Sequence, residues 1–333
     1  MSSRPSGQPL PPSTRRWMLA IGLFAVLPML AFSLLVGHSL LHQQRAALDT
    51  ELQQQADFGA RELAREVRVM FAMLDSLATS DAALRADYAA LHAHASRVSA
   101  ISPRVGGISA VGADGVARFS TLVPFAVPLP VITATDTDKQ VLKTGLRQVS
   151  PLLVAPLSGK NQLLFMVPVK EDGKTVMILR ASMWSEAIGE VVREQPLPAT
   201  WYSAVVDQNM VQIARSRESA RFVGQLATDV TQAAIRADLS TPYAAVSGDG
   251  VATTASVARV AGTGWSVVIA APSTSLDAEV WQALQSTLWI GLLCAVLSAL
   301  GAWFLARALR RQLQVADVQH TVSATDAAAK ADD

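Results

Sequence analysis

VARVAGTGWSVVIAAP, residues 257–272, reads as the end of one β-strand, a glycine turn and a strongly apolar return strand closed by a proline. The same shape stands upstream in FMVPVKEDGKTVMILRASMW, residues 165–184, a hairpin turned at Asp172-Gly173. Each hairpin is preceded by a second matching pair. SAVGADGVARFS at 109–120 and SAVVDQNMVQIARS at 203–216 are each a strand, an aspartate turn and a strand ending near an arginine and a serine. Strands are therefore predicted at 107–112, 116–121, 162–170 and 175–183, and again at 202–206, 210–215, 253–260 and 265–271. Two sets of four imply two copies of one small α/β module, in an α+β chain.

Upstream the period changes. Leu63, Val67, Met70, Leu74 and Leu77 recur at heptad spacing among charges such as Arg61, Glu62, Arg65 and Glu66, which predicts a helix over about 43–80. The stripe fits either packing on the helix's own domain or a seam with a second copy. Outside these regions lie two apolar runs, WMLAIGLFAVLPMLAFSLLVGHSLL at 17–41 and LWIGLLCAVLSALGAWFLA at 288–306. Each matches a hydrocarbon core of ~30 Å at 1.5 Å per residue. The first exceeds a signal-peptide core and shows no small-residue cleavage site, so an uncleaved anchor is expected. Pro28 is tolerable in such a helix. Arg15 and Arg16 precede the first run and Arg307, Arg310 and Arg311 follow the second, which puts both ends inside and about 42–285 outside. Trp17 and Trp303, and Trp281 and Trp289, would stand at the two interfaces.

Composition agrees with a membrane protein: 50% hydrophobic and 17% charged residues, against roughly 25% charged in soluble domains. A net charge of +1 leaves no footprint for nucleic acid. The single cysteine, Cys294, allows no intrachain disulfide and no thiolate metal site.

A long helix, two modules and an exit into a second span resemble the double Cache sensor domains of bacterial histidine kinases, diguanylate cyclases and chemoreceptors. The resemblance rests on the tGWsVvi..P strand before the second span, on FVG at 222–224 and on VPV at 167–169. It implies PAS-like (Cache) modules and the following division: a disordered 1–14, a span at 15–42, a stalk helix at 43–80, a membrane-distal module at 81–195, a membrane-proximal module at 196–278, a span at 279–308 and a tail at 309–333. The tail QLQVADVQHTVSATDAAAKADD is too short and polar to fold alone. The expected output is therefore through a separate protein such as a histidine kinase. The alternative class is a non-sensing periplasmic scaffold or accessory subunit whose outer domain binds a protein.

Enzymatic signatures are missing. The histidines His38, His42, His92, His94 and His320 form no HExxH, there is no GxSxG elbow, and SGKNQ at 158–162 and AGTGW at 261–265 lack phosphate-loop context. No cofactor and no metal are expected. Charges inside apolar strands carry more meaning. Arg180 interrupts VMILRASMW on the face of Ile178 and Ser182, and needs a protein carboxylate, solvent at the strand edge or an anionic ligand. Arg118 raises the same question beside Ser120. The resemblance places a small molecule in the membrane-distal module, under a covering segment at 121–161 with Asp136, Arg147, Gln148 and Ser150 as polar candidates. The candidate ligand residues are thus Arg118, Ser120, Asp136, Arg147, Gln148, Ser150, Arg180 and Ser182. Arginine's planar fork leans toward a carboxylate or other small anion. A homodimer through the helix at 43–80 is expected.

Overall fold

In this computed structural model, residues 12–125, 127–129, 134–156 and 158–273 are described, with a scatter of positions between 285 and 307; over 12–44 the description is of backbone alone at most positions. The chain divides into two compact units, Met1–Arg45 with Asp277–Asp333, and Ala46–Leu276. Among the described residues no helix is long and apolar enough to cross a membrane. The spans expected at 15–42 and 279–308 fall on side chains or whole residues outside that set, as do most of 1–14 and all of 309–333.

Helix α1 runs from Pro12 to Ala78 and so begins inside the stretch read as unstructured; a proline in the first turn costs no helical hydrogen bond. Beyond Ala46 it buries Leu52, Leu63, Val67, Met70, Leu74 and Leu77 against its own sheets. The heptad stripe is therefore core, and a seam with a second copy would have to use the opposite face, where Phe58 and Val69 are exposed. Ser80 caps the short α2 (Asp81–Leu84) and Asp87 caps α3 (Tyr88–Ile101), each accepting a backbone amide in its side-chain oxygen.

The N-terminal sheet comprises β1 (Val105–Gly112), β2 (Ala117–Ser120), β3 (Gln148–Val149), β4 (Leu153–Val154), β5 (Asn161–Glu171) and β6 (Lys174–Trp184), with α4 (Asp136–Thr144) inserted after β2 and α5 (Ser185–Arg193) following β6. Its order is β2-β1-β6-β5-β3, with β4 also on β5. The C-terminal sheet comprises β7 (Tyr202–Val206), β8 (Gln212–Arg215), β9 (Tyr243–Val246), β10 (Ala252–Arg259) and β11 (Ser266–Pro272), with α6 (Ser219–Phe222) and α7 (Asp229–Arg236) between β8 and β9. Its order, β8-β7-β11-β10-β9, repeats the first strand for strand. The repeat extends to detail: both leading hairpins slip register at the same place, between Ala110 and Val111 and between Val205 and Val206.

All eight strands predicted from alternation are present within a few residues. Strands β3 and β4, of two residues each, are too short to show a period, and β9 (Tyr243–Val246) is a further strand outside the predicted set. Helix α4 lies within the segment 121–161 expected to form a covering loop. The opening stretch forms β10 and β11 around Gly262 and Gly264, both at positive φ, where glycine alone is unstrained. Its Trp265 reaches the shared core in an edge-to-face chain: Phe71 of α1 meets Phe165 of β5 at 5.6 Å, and Phe165 meets Trp265 at 5.9 Å. One core thus joins the helix to both sheets.

Candidate ligand-binding site

A cavity of about 240 Å³ opens on the face of the N-terminal sheet. Its floor is β1, β2, β5 and β6; its cover comes from the segment after β2, through Leu122 and Leu129, from Thr135 at the start of α4, and from the β4 segment, through Val154 and Pro156. The walls are mostly apolar. Its polar wall groups include Arg180, which is 3% exposed.

The arginine has a protein partner. Arg180 Nη1 donates to Asp138 Oδ2 at 3.2 Å and Nε donates to Ser109 Oγ at 3.2 Å, while Nη2 makes no hydrogen bond among the described residues. Asp138 is fully buried. Its Oδ2 also accepts from the backbone N and the Oγ1 of Thr135, at 2.7 and 2.8 Å, closing the capping box that starts α4. Its Oδ1 is buried with no hydrogen-bond partner among the described residues. Burial pulls the Arg180 guanidinium below its ordinary pKa, and Asp138 works in the opposite sense. A buried pair of this kind is a neutral unit with one free donor edge and one free acceptor. The remaining polar wall groups are Ser182, whose Oγ donates to Gly107 O at 3.2 Å, Ser120, whose Oγ accepts from Leu122 N at 3.3 Å, and Gln162. Among the described residues no cluster of histidine, cysteine or acidic side chains could hold a metal ion.

No protein-family model and no curated protein matches the chain. Solved structures do match. The sensory domain of the Campylobacter jejuni chemoreceptor Tlp3 with isoleucine bound is 11% identical, with a TM-score of 0.55 over 71% of this chain and 97% of that one. The ligand-binding domain of the Pseudomonas fluorescens chemoreceptor CtaA in complex with L-serine is 11% identical, with a TM-score of 0.58 over 69% and 99%. That of the Pseudomonas aeruginosa chemoreceptor PctB in complex with L-Arg is 13% identical, with a TM-score of 0.55 over 68% and 96%. The fold is that of double Cache sensory domains.

Against this double Cache frame, the expected residues separate. Arg180, Ser182 and Ser120 come together in the cavity wall. Arg118 turns away from it, donating to Asp114 Oδ2 at 2.7 Å, a bond that holds the guanidinium above its ordinary pKa. Asp136 is a solvent carboxylate paired with Lys139 at 2.9 Å. Arg147 pairs with Asp75 at 3.7 Å and lies over Phe71. Gln148 is half-buried in the β3 ladder against Met166. Ser150 is buried but spent on backbone, accepting from Leu164 N and donating to Pro151 O. None of these five lines the cavity. Sequence reasoning missed Asp138, Ser109, Thr135 and Gln162. Asp138 had a signal: Thr135-x-x-Asp138 is a capping box, and a helix starting there turns Asp138, not Asp136, toward the sheet.

Proposed function

We propose that this chain is a membrane-anchored extracytoplasmic sensor that binds a small molecule in the cavity of its N-terminal module and relays occupancy to a separate output protein. The reading takes the runs at 17–41 and 288–306 as spans with both ends in the cytoplasm, the N-terminal module as membrane-distal and the C-terminal one as membrane-proximal, and two copies as the working unit. The observation that carries it is the cavity walled by Arg180, whose guanidinium is held from the protein side by Asp138. A protein-binding scaffold would leave that module collapsed.

Charge balance refines the ligand class. Arg180 and Asp138 cancel, so a lone anion would bring net charge into a buried site at a cost of several kcal/mol. A zwitterion adds no net charge: its carboxylate takes the free Nη2 edge of Arg180 and its ammonium the polar wall groups Ser120, Ser182 and Gln162. The apolar walls then favour a small aliphatic amino acid, and the sensory domains of like fold described above carry isoleucine, serine or arginine. A volume of about 240 Å³ lies just below the roughly 300–1,000 Å³ of drug-sized sites, as a compact metabolite requires.

The test is titration of the full chain in detergent with amino acids, small monocarboxylates and polyamines, read by thermal shift and calorimetry. A ligand at 100 times its Kd adds about 2.7 kcal/mol of stability. Binding of an aliphatic amino acid that is lost in Arg180→Ala supports the reading. Binding of monocarboxylates alone would overturn the zwitterion assignment, and silence across the panel would return the chain to the scaffold class.

A further inference from the structure

The repeat of the two sheets pairs their residues one to one. Ser109 faces Ser120 across β1 and β2 where Ala204 faces Arg215 across β7 and β8. Arg180 faces Ser109 where Val268 faces Ala204, and Gly107 faces Ser182 where Tyr202 faces Ala270. Thr135 caps α4 where Thr228 precedes α7, which puts Thr231 in the place of Asp138. A second cavity lies at the matching point of the C-terminal sheet, lined by Tyr202, Ala204, Arg215, Thr228 and Val268. Its volume is about 30 Å³, against about 240 Å³ in the first.

What fills it is visible. Glycine at 107 becomes Tyr202, and serine at 120 becomes Arg215. The Arg215 guanidinium lies 4.1 Å from the Tyr202 ring centre and 3.9 Å from that of Phe222, sandwiched between two aromatic faces. It is 3% exposed, its only ion partner is Asp249 at 3.9 Å among the described residues, and its Nε is buried with no hydrogen-bond partner among them. The loop over it is drawn in tightly: a Cβ on Gly248 would stand 2.7 Å from the Phe222 ring.

We infer that the C-terminal module carries a second ligand site of the same construction, selective for a planar organic cation and permanently occupied by the chain's own Arg215. The buried cation is held by ring faces and a distant carboxylate, as a bound guanidinium would be, and not by the hydrogen-bonded carboxylate that holds Arg180. The C-terminal module is therefore already filled, and takes no small molecule while Arg215 is in place. This does not rest on the ligand proposed for the first cavity, and its test does not use that ligand.

The experiment compares the full chain with Arg215→Ala and Arg215→Met in detergent, by thermal melting and amide exchange, with and without methylguanidinium. Arg215→Ala is expected to lower the melting temperature by about 10 °C and to speed exchange in 202–216 and 243–251. Methylguanidinium should reverse most of both, and equal methylammonium should not. The wild type and Arg221→Ala, an exposed arginine on the outside of Phe222, should show no response to either cation. Arg215→Met should be less stable than wild type, which keeps the inference open to test if the alanine variant does not fold. Wild-type stability in Arg215→Met, or absence of a guanidinium response in a folded Arg215→Ala, would overturn it by reducing Arg215 to a filler.

Discussion

Arg180 and Asp138 show how one residue's role depends on another that lies far off in sequence. With Arg180 at 3% and Asp138 at 0% exposure, removing either leaves the other charged and unpaired. Asp138→Ala is expected to cost about 3–5 kcal/mol, whereas Arg180→Met with Asp138→Leu should recover most of that, because two apolar side chains leave no buried charge. Urea unfolding of the two singles and the double checks it; a double variant as unstable as the sum of the singles would deny the coupling. Acid offers a second residue-scale test at Asp249. Its hydrogen bond from Ser247 holds the carboxyl below its ordinary value near 3.8, with Arg215 acting in the same direction. The unfolded chain therefore binds more protons there, so the contribution is full above pH about 4 and is lost as pH falls through the lowered native value. Asp249→Asn should flatten stability against pH in that acidic window and lower stability near neutrality, where the carboxylate's contribution is full.

At the scale of elements, α1 carries the clearest sequence signal and the most instructive ambiguity. Heptad spacing fits a coiled-coil seam and a helix laid on a sheet equally well, since both need an apolar stripe. Only contacts separate them, and Leu74, fully buried with Phe71 and Leu77, belongs to the chain's own core. Leu74→Ala should cost about 2–5 kcal/mol without altering the oligomeric state, as sedimentation can report. Helix α4 makes the converse point. It has only nine residues and begins in a stretch rich in proline and threonine that reads as loop, yet its capping box carries the buried acid that pairs with Arg180. Short strands escaped for the same reason: β3 and β4 pair over two residues each, set by the neighbouring β5 and not by their own pattern.

Across the whole molecule, the two modules are tied directly. Asp207, in the turn between β7 and β8, accepts Asn209 N and Val211 N in Oδ1 and reaches across in Oδ2 to Leu152 N at 3.0 Å, just before β4. Gln208 adds a bond to Val149 O. The β4 segment walls the first cavity, so the turn of the second module holds one wall of the first. Asp207→Ala should lower stability by about 1–3 kcal/mol through its orphaned amides, and the Leu152 amide should exchange faster while the amides of β5 and β6 keep their protection. Unchanged exchange at Leu152 would remove this tie. Sequence alone determined the long helix, eight of the eleven strands among the described residues and the duplication, because alternation and turn chemistry are local and act over a few residues. It also marked Arg180, since a charge within an apolar strand is visible without coordinates. Tertiary structure alone decided which carboxylate meets that arginine, which of two equivalent cavities stays open and which is filled by Tyr202 and Arg215. Those outcomes depend on residues brought together across strands and helices from distant parts of the chain, where size and charge are matched only once the backbone has folded.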